Sequence, residues 1–320
     1  MRWWRLTASA ISRLWAAMHA MVDRQRQDAR GIALMVAGSA LITLNDAIAK
    51  WLTATYPVGQ ILTLRGIFFL VPVLVLVWHG GGLRALRIHS VGGQAFRALL
   101  FVVASVFFVV SVGLMPLPTV VALTFASPLF ITALAPVMLG EKVGWRRWMA
   151  VLTGFAGVLL IVRPFQEGWQ WFALLPVAGA LAGSLRDIAT RRITAYESSA
   201  SILFYAALTV IILGFATSPF GWQPLTTFDL MLFAFQGLAM GVAHYLMVES
   251  FRMAEAALVA PFKYTGFIWA VIYGIAIWGD YPDTMTLVGA GVILASGLYI
   301  LNRELRHKQH KAITTPSRSA

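Results

Sequence analysis

Residues 44–50 read LNDAIAK and residues 185–191 read LRDIATR, and each heptapeptide lies in, or closes, a long apolar run. Asp46 matches Asp187 at an offset of 141 positions (187 − 46), which is close to half of the 320 residues. Self-similarity at a fixed offset is how a duplicated structural unit shows itself in a sequence. The two heptapeptides therefore predict one membrane unit that is present twice.

A second set of matches supports the duplication at an offset of 139 positions (279 − 140). Gly140–Glu141 falls on Gly279–Asp280, and Ala150 falls on Gly289. A difference of two positions between the offsets is what short loop insertions would produce. Chance similarity between apolar helices, which share a small set of residue types, is the alternative explanation.

Composition places the chain in the membrane, because 59% of its residues are hydrophobic and 12% are charged. Such a sequence is typical of a polytopic membrane protein rather than a soluble domain. The chain has no cysteine, which excludes disulfides, thiolate zinc sites and cysteine nucleophiles.

Ten apolar segments are long enough to be membrane-spanning helices, and each is longer than the strand of a membrane barrel needs to be. They are 31–52, 58–78, 92–113, 118–139, 147–163, 170–191, 199–218, 228–250, 256–278 and 285–302. Residues 31–163 and 170–302 would then be two five-helix repeats. Because five is odd, the second repeat enters the bilayer from the opposite face. The predicted fold class is an all-α membrane protein with ten transmembrane helices as two inverted repeats and a solute site between them.

The basic residues indicate the topology. Nineteen lysines and arginines lie in segments predicted to face the cytoplasm, and Arg163 alone lies on the other side. This asymmetry predicts a multi-pass protein of the inner (plasma) membrane with both termini in the cytoplasm. The net charge of +12 is therefore a signal of topology and of contact with the lipid bilayer, and no nucleic-acid partner is expected.

The two ends of the chain are expected to lie outside the bilayer core. Residues 1–30 alternate apolar and arginine positions at helical spacing, which predicts an amphipathic helix on the inner leaflet. A start at Met18 or Met21 is the alternative. Residues 303–320 are basic and polar and are predicted to form a disordered cytoplasmic tail.

Two stretches resemble the EamA-type branch of the drug/metabolite transporter superfamily. They are Pro128–Val162, PLFITALAPVMLGEKVGWRRWMAVLTGFAGVLLIV, and Asn45–Gly66, NDAIAKWLTATYPVGQILTLRG. The resemblance extends over residues 31–302 and implies a 5+5 inverted-repeat fold, no bound cofactor and transport of small organic solutes. Solutes of the branch include amino acids, vitamins and metabolites of the S-adenosylmethionine type. The second repeat departs from the family pattern, because Gly279–Asp280 replaces Gly-Glu.

Charged residues inside spans require a partner or a water-filled cavity, because an isolated charge in the bilayer costs at least about 2.5–3.5 kcal/mol. Asp46 and Arg65 lie at similar depths in the first two spans, which predicts an ion pair between them. Lys50 is four residues after Asp46 on the same helix face and is expected either to join them or to extend to the lipid headgroups.

Asp187 and Lys263 are predicted to form a second charged cluster nearer the cytoplasm, with Arg186 or Arg191. We hypothesise that the two clusters are gates that close alternately. The alternative is that both are permanent ion pairs that stabilise the fold. Coupling to protons would require a group that titrates within the membrane, and the candidates are Asp46, His244 and Glu249.

Further residues are expected to line the solute cavity. Aromatic rings could stack on a planar or cationic solute, and polar groups could donate hydrogen bonds from an apolar wall. Lipid-facing packing is the alternative for any single ring. The candidates are Phe101, Tyr245, Tyr264, Asn45, Ser105, Thr124 and Ser127. Pro128 and Pro261 are expected to interrupt their helices beside the site.

Membrane enzymes and channels are the alternatives to a transporter. The sequence contains no Gly-x-Ser-x-Gly, no His-Glu-x-x-His and no phosphate-binding loop, so no enzyme chemistry is predicted. Charge clusters near opposite faces favour alternating closure over an open pore. The expected partner is a small-molecule solute, and the sequence leaves monomer and homodimer open.

Overall fold

The computed structural model describes residues 3–80, 82–141, 143–164, 171–194 and 197–314. Within these ranges the chain is helical and contains no strand. The helices are α1 Trp3–Leu52, α2 Val58–His79, α3 Val91–Leu114, α4 Leu117–Thr124, α5 Ser127–Leu139, α6 Trp145–Val162, α7 Leu175–Ile193, α8 Ser199–Phe215, α9 Thr227–Met253, α10 Ala256–Val259, α11 Thr265–Trp278 and α12 Thr284–Thr314. Three 3₁₀ segments, Gly82–Leu86, Trp171–Leu174 and Ala260–Tyr264, precede α3, α7 and α11.

Nine helical stretches in the described part of the chain are long and apolar enough to cross a membrane. The prediction of an all-helical membrane protein is therefore confirmed. The predicted span at 199–218 corresponds to α8, which is apolar but has 17 residues. At 1.5 Å per residue α8 is about 25 Å long, somewhat shorter than a typical hydrocarbon core of about 30 Å.

Both chain ends differ from their predicted structure. Residues 3–30 do not form a separate helix, because α1 continues through Gly31 without a break. Ser250 Oγ donates to the Gly31 carbonyl at 2.6 Å, so α9 packs against α1 at this point. The predicted disordered tail is also wrong for residues 303–314, which continue α12. This stretch has no glycine or proline before Pro316, so nothing in its sequence ends the helix. Residues 315–320 lie outside the described part.

The helix bundle has two ends. We call the end from which the N-terminal and C-terminal helices extend the terminal face, and the other end the opposite face. The terminal face carries Gln25 of α1 and Arg303 of α12, and the opposite face carries Leu52 of α1 and Thr284 of α12. Short links make successive spans antiparallel, so each span joins one face to the other.

The largest contacts between helices of the two halves come in pairs. When a helix of the first half packs on a helix of the second half, the corresponding helices with the halves exchanged also pack on each other. The first helix of the first half, α1, packs on α9, and its counterpart α7 packs on α3. Similarly, α2 packs on both α8 and α9, while α3 packs on α8. The last spans of the two halves, α6 and α12, pack against each other, and Gly157 and Gly289 lie in this contact. A Cβ atom on Gly157 would lie 2.8 Å from the Gly289 carbonyl oxygen.

Two matching corners end α5 and α11. Gly140 and Gly279 cap these helices with φ of 66° and 69°, a left-handed conformation that glycine adopts without strain. The next amides, of Glu141 and Asp280, donate to carbonyls six residues back at 3.3 and 3.0 Å. The Gly-Glu and Gly-Asp pairs in the sequence thus form the same backbone turn.

The predicted helix interruptions occur beside both prolines. The fourth span breaks between α4 and α5 at Phe125 and Ala126, just before Pro128. Pro261 lies in the 3₁₀ segment that precedes α11. Proline cannot donate to the preceding turn, which weakens the helical hydrogen bonding there.

Candidate functional site

A cavity of about 540 Å³ lies among α1, α2, α3, α4, α5, α7, α9 and α12. It extends from Leu301, near the terminal face, to Asp46 and Arg65. Asp46 lies six residues before the end of α1, and Arg65 lies seven residues after the start of α2, so both are about 10 Å from the opposite face. The cavity is large enough for a metabolite of ordinary size.

Nine of the fourteen predicted site residues line this cavity. They are Asp46, Arg65, Phe101, Ser105, Thr124, Ser127, Asp187, Lys263 and Tyr264. The charged residues among them were predicted from their depth within the spans, and the others were predicted as rings or hydroxyl groups that could contact a solute. Arg186, which was predicted as a possible partner of Asp187, also lines it, as do Phe108, Phe125, Thr132 and Met240.

Asp46 and Arg65 face the same cavity but do not form the predicted ion pair. Both side chains are half-buried and make no direct hydrogen bond to a described residue, although their charges act on each other across the cavity. The cause is α9, which packs against both α1 and α2. Its Gln236 backbone carbonyl accepts from Asn45, and Gly237 lies against the Arg65 backbone.

Lys50 pairs with the second half of the chain and not with Asp46. Its Nζ lies 3.0 Å from Asp280 Oδ2, 2.8 Å from the Met115 carbonyl oxygen and 5.1 Å from the centre of the Trp278 ring. The Lys50 and Asp280 side chains are 13% and 21% exposed. The prediction that Lys50 joins Asp46 is therefore wrong, and Lys50 instead ties α1 to the corner after α11.

The second predicted cluster belongs to the same cavity as the first. Arg186 donates to Asp187 Oδ1 at 2.8 and 2.6 Å, and its guanidinium carbon is 5.7 Å from the centre of the Phe101 ring. Lys263 interacts electrostatically with both residues, but its side chain makes no hydrogen bond or ion pair with a described residue. The two clusters thus line one cavity, at different depths.

Arg191 occupies a different position from that predicted. It pairs with Glu141 at 2.7 Å on the terminal face, where the two side chains are 55% and 39% exposed. Lys50 matches Arg191 at the offset of 141, and Glu141 matches Asp280 at the offset of 139. We call the two ion pairs exchange-related, because replacing each residue of one pair by its match in the other half gives the other pair. One set of matching residues is basic in both halves and the other set is acidic in both halves. This pattern was the signal in the sequence that could have predicted the two ion pairs.

Additional contacts join the two halves at the opposite face. Tyr56 Oη donates to Asp229 Oδ2 at 2.7 Å, Gln60 Nε2 donates to the Gln223 carbonyl at 2.8 Å, and Arg163 pairs with Asp283. Burial, reinforced by the bond to Asp229, raises the pKa of Tyr56, so the hydroxyl remains a donor.

Besides Lys50, four predicted residues do not line the cavity. Asn45 and Gln236 exchange bonds between α1 and α9 at 2.6 and 3.0 Å, so Asn45 joins helices. His244 and Tyr245 are exposed on the outside of α9, and Glu249 pairs with Arg252 at 3.3 Å. Helical position alone did not indicate which face of α9 points inward.

Aromatic and hydroxyl groups complete the cavity wall. Phe125 and Tyr264 meet edge to face with ring centres 5.1 Å apart, and they match each other at the offset of 139. Ser127 and Ser184 lie within hydrogen-bonding distance at 2.9 Å, which ties α5 to α7. The site therefore combines a ring pair contributed by both halves with charges at two depths.

Comparison with known proteins identifies the family. The model of the EamA-like transporter family matches residues 29–163. A riboflavin transporter of Rhizobium johnstonii is 30% identical over 298 residues, which cover 91% of this chain and 97% of that protein. The chain belongs to the EamA-like transporter family. This EamA-like transporter is also similar to an S-adenosylmethionine uptake transporter of Rickettsia bellii, at 25% identity over 91% of the chain and 100% of that protein.

The fold of this EamA-like transporter also has a counterpart among solved structures. One crystal structure superposes with a TM-score of 0.60 at 16% identity, covering 88% of this chain and 99% of the other. The apolar helices and the membership of this transporter family show that the chain is a multi-pass membrane protein.

Proposed function

We propose that this protein is a secondary transporter that carries a small organic metabolite across the inner membrane by alternating access, and that it is not an enzyme. The observation that carries the proposal is the cavity, which holds unpaired charges and ends about 10 Å short of a face closed by contacts between the halves. A carrier needs such a site, which reaches one side of the membrane at a time.

The two halves, residues 31–163 and 170–302, are proposed to be inverted repeats. Three features support this assignment. Helix contacts occur in exchange-related couples, Gly140 and Gly279 form the same turn, and Lys50–Asp280 and Arg191–Glu141 are exchange-related ion pairs at opposite faces. An inverted repeat lets one fold adopt two states related by a pseudo-two-fold axis, because each half can take the conformation of the other.

These ion pairs are proposed to be the gates, in place of the cavity charges considered from the sequence. Lys50–Asp280 is largely buried and holds the opposite face shut, whereas Arg191–Glu141 is solvent-exposed. In the alternative state Lys50–Asp280 would separate. Arg191–Glu141 is already joined in this structure, so closure of the terminal face would bury this pair rather than form it. The alternative role, permanent stabilisation of the fold, predicts no change in either pair during transport.

The excess of basic residues in the loops supports a cytoplasmic terminal face. With both termini inside, the structure corresponds to a state that is open to the cytoplasm and closed to the outside. Solute would leave or enter the cavity past Leu301 and Lys263.

The relatives suggest the class of solute. One is named for riboflavin and another for S-adenosylmethionine, and both of these metabolites carry a planar heterocycle. Phe101, Phe125 and Tyr264 offer rings against which such a heterocycle could pack. Proton coupling is also proposed, and Asp46 is the candidate of the three that lines the cavity.

Counterflow in proteoliposomes tests the function. Vesicles loaded with unlabelled S-adenosylmethionine or riboflavin should accumulate the same labelled solute transiently, because a carrier exchanges the two through one site. Flux that does not saturate and ignores the internal solute would indicate a channel. Chemical conversion of the solute would indicate an enzyme.

A further inference from the structure

The cavity contains five charged side chains, of which two neutralise each other. Arg186 and Asp187 are joined by two hydrogen bonds. Asp46, Arg65 and Lys263 make no direct side-chain hydrogen bond or ion pair with any described residue. Charges at this depth are costly unless water or another charge satisfies them. The site therefore presents one negative and two positive charges to whatever occupies it.

The unpaired charges are held apart by the fold. Gln236 and Gly237 of α9 contact Asn45 and the Arg65 backbone respectively, so α9 separates Asp46 from Arg65. Both side chains nevertheless reach the same cavity from similar depths. Because Asp46 and Arg65 do not pair with each other but face the same cavity, each can bind a group of opposite charge on one shared ligand.

We infer that the solute carries an ammonium group and a carboxylate, with the ammonium bound by Asp46 and the carboxylate by Arg65. This inference rests on the proposed function and specifies its solute as a zwitterion of the amino-acid type. Lys263, nearer the terminal face, supplies a donor to a further acceptor on the solute. The aromatic part of the solute lies beside Phe101 and Tyr264.

Other solute charges fit this site less well. An uncharged solute leaves all three charges without a partner. A simple cation satisfies Asp46 but adds to the repulsion from Arg65 and Lys263, and a simple anion leaves Asp46 exposed to a like charge. A zwitterion satisfies both Asp46 and Arg65, which makes it the best match to the side chains present.

Matched ligands test the inference on the full-length, detergent-purified protein. S-adenosylhomocysteine and 5′-methylthioadenosine share an adenosine and a thioether, but only the former carries the ammonium and carboxylate. Isothermal titration should give roughly 10- to 100-fold tighter binding of S-adenosylhomocysteine, as expected for charge-assisted hydrogen bonds. Asp46→Asn should remove that preference by weakening S-adenosylhomocysteine and leaving 5′-methylthioadenosine unchanged.

Two further variants make the test decisive. Arg65→Gln should also remove the preference, whereas Glu249→Gln, a matched carboxylate change outside the cavity, should retain it. Asp46→Asn leaves no bonded partner behind, so it should fold. The inference is overturned if 5′-methylthioadenosine or riboflavin binds as tightly as S-adenosylhomocysteine, if no zwitterionic ligand binds, or if Asp46→Asn weakens all ligands equally. In those cases saturable flux of another solute would leave the transporter function standing, while absence of any flux would refute that function separately.

Discussion

Replacing Lys50 by methionine should open the opposite face. Methionine keeps the apolar stem but removes the charge that binds Asp280 and the donor to the Met115 carbonyl. The matched change at the terminal face is Arg191→Met, which removes the charge that pairs with Glu141. If the two pairs are gates, the variants should shift the conformational equilibrium in opposite directions.

The magnitude follows from burial. Exposed ion pairs contribute about 0.2–1 kcal/mol, and removing one partner of a fully buried pair costs about 3–5 kcal/mol. With side chains 13% and 21% exposed, the Lys50–Asp280 pair lies between these limits. We expect Lys50→Met to cost the closed opposite face about 1–3 kcal/mol, a shift of about 5- to 150-fold in the equilibrium. Arg191→Met should have a smaller effect, at most about 1 kcal/mol, since its pair is exposed.

A single cysteine reports the shift directly, because the chain has none of its own. Ser105→Cys places a thiol in the cavity wall. A membrane-impermeant maleimide added from outside intact cells should label this thiol faster in the Lys50→Met background. Reversing the pair, with Lys50→Asp and Asp280→Lys together, should restore slow labelling.

Two results would refute this reasoning. Labelling that is unchanged by Lys50→Met would show that the pair does not hold the opposite face. An increase of the same size with Arg191→Met would show general loosening of the bundle rather than a gate. The abundance of each variant in the membrane provides the control for folding.

The remaining predictions concern packing and protons. Gly157→Val should destabilise the bundle, because its side chain would meet the Gly289 carbonyl oxygen; a lower melting temperature in detergent checks this, and an unchanged value would contradict the close contact. His244→Gln and Glu249→Gln should both keep transport driven by a pH gradient, since neither residue lines the cavity. Asp46→Asn should abolish that drive; if Glu249→Gln abolishes it instead, the proton route lies outside the cavity.

Much of the architecture could be predicted from the sequence because membrane spans are recorded locally. Length and hydropathy indicate each helix by itself, and the bilayer excludes other structures. Charges within the spans also indicated the cavity, since Asp46, Arg65, Asp187 and Lys263 all line it. A charge at that depth needs polar surroundings wherever its helix packs.

Pairing between charges was harder to predict, because it depends on which helices are neighbours. The Asp46–Arg65 pair assumed that successive spans touch, but α9 packs between them. Lys50 is on the same helix as Asp46 and still finds Asp280 in the other half. Equal depth and sequence spacing did not contain this information.

The chain ends and the outward face of α9 show the same limit. Residues 303–314 have the polarity of a tail, yet their helix propensity continues α12. His244 lies one helical turn beyond Met240, which lines the cavity, but packs near Phe69 on the outside. The path of α9 across its neighbours decides which residues face inward, and a single sequence does not record it.

Distances across the two mouths test the account most directly. Spin labels at Thr55 and Tyr281 would span the opposite face, and labels at Trp145 and Arg192 would span the terminal face, all at exposed positions. Double electron–electron resonance should find a short and a long distance for each pair of labels. The fraction of molecules with the long distance at one face should equal the fraction with the short distance at the other face. A single distance at each face, or widening of both faces together when solute is added, would contradict alternating closure around the cavity.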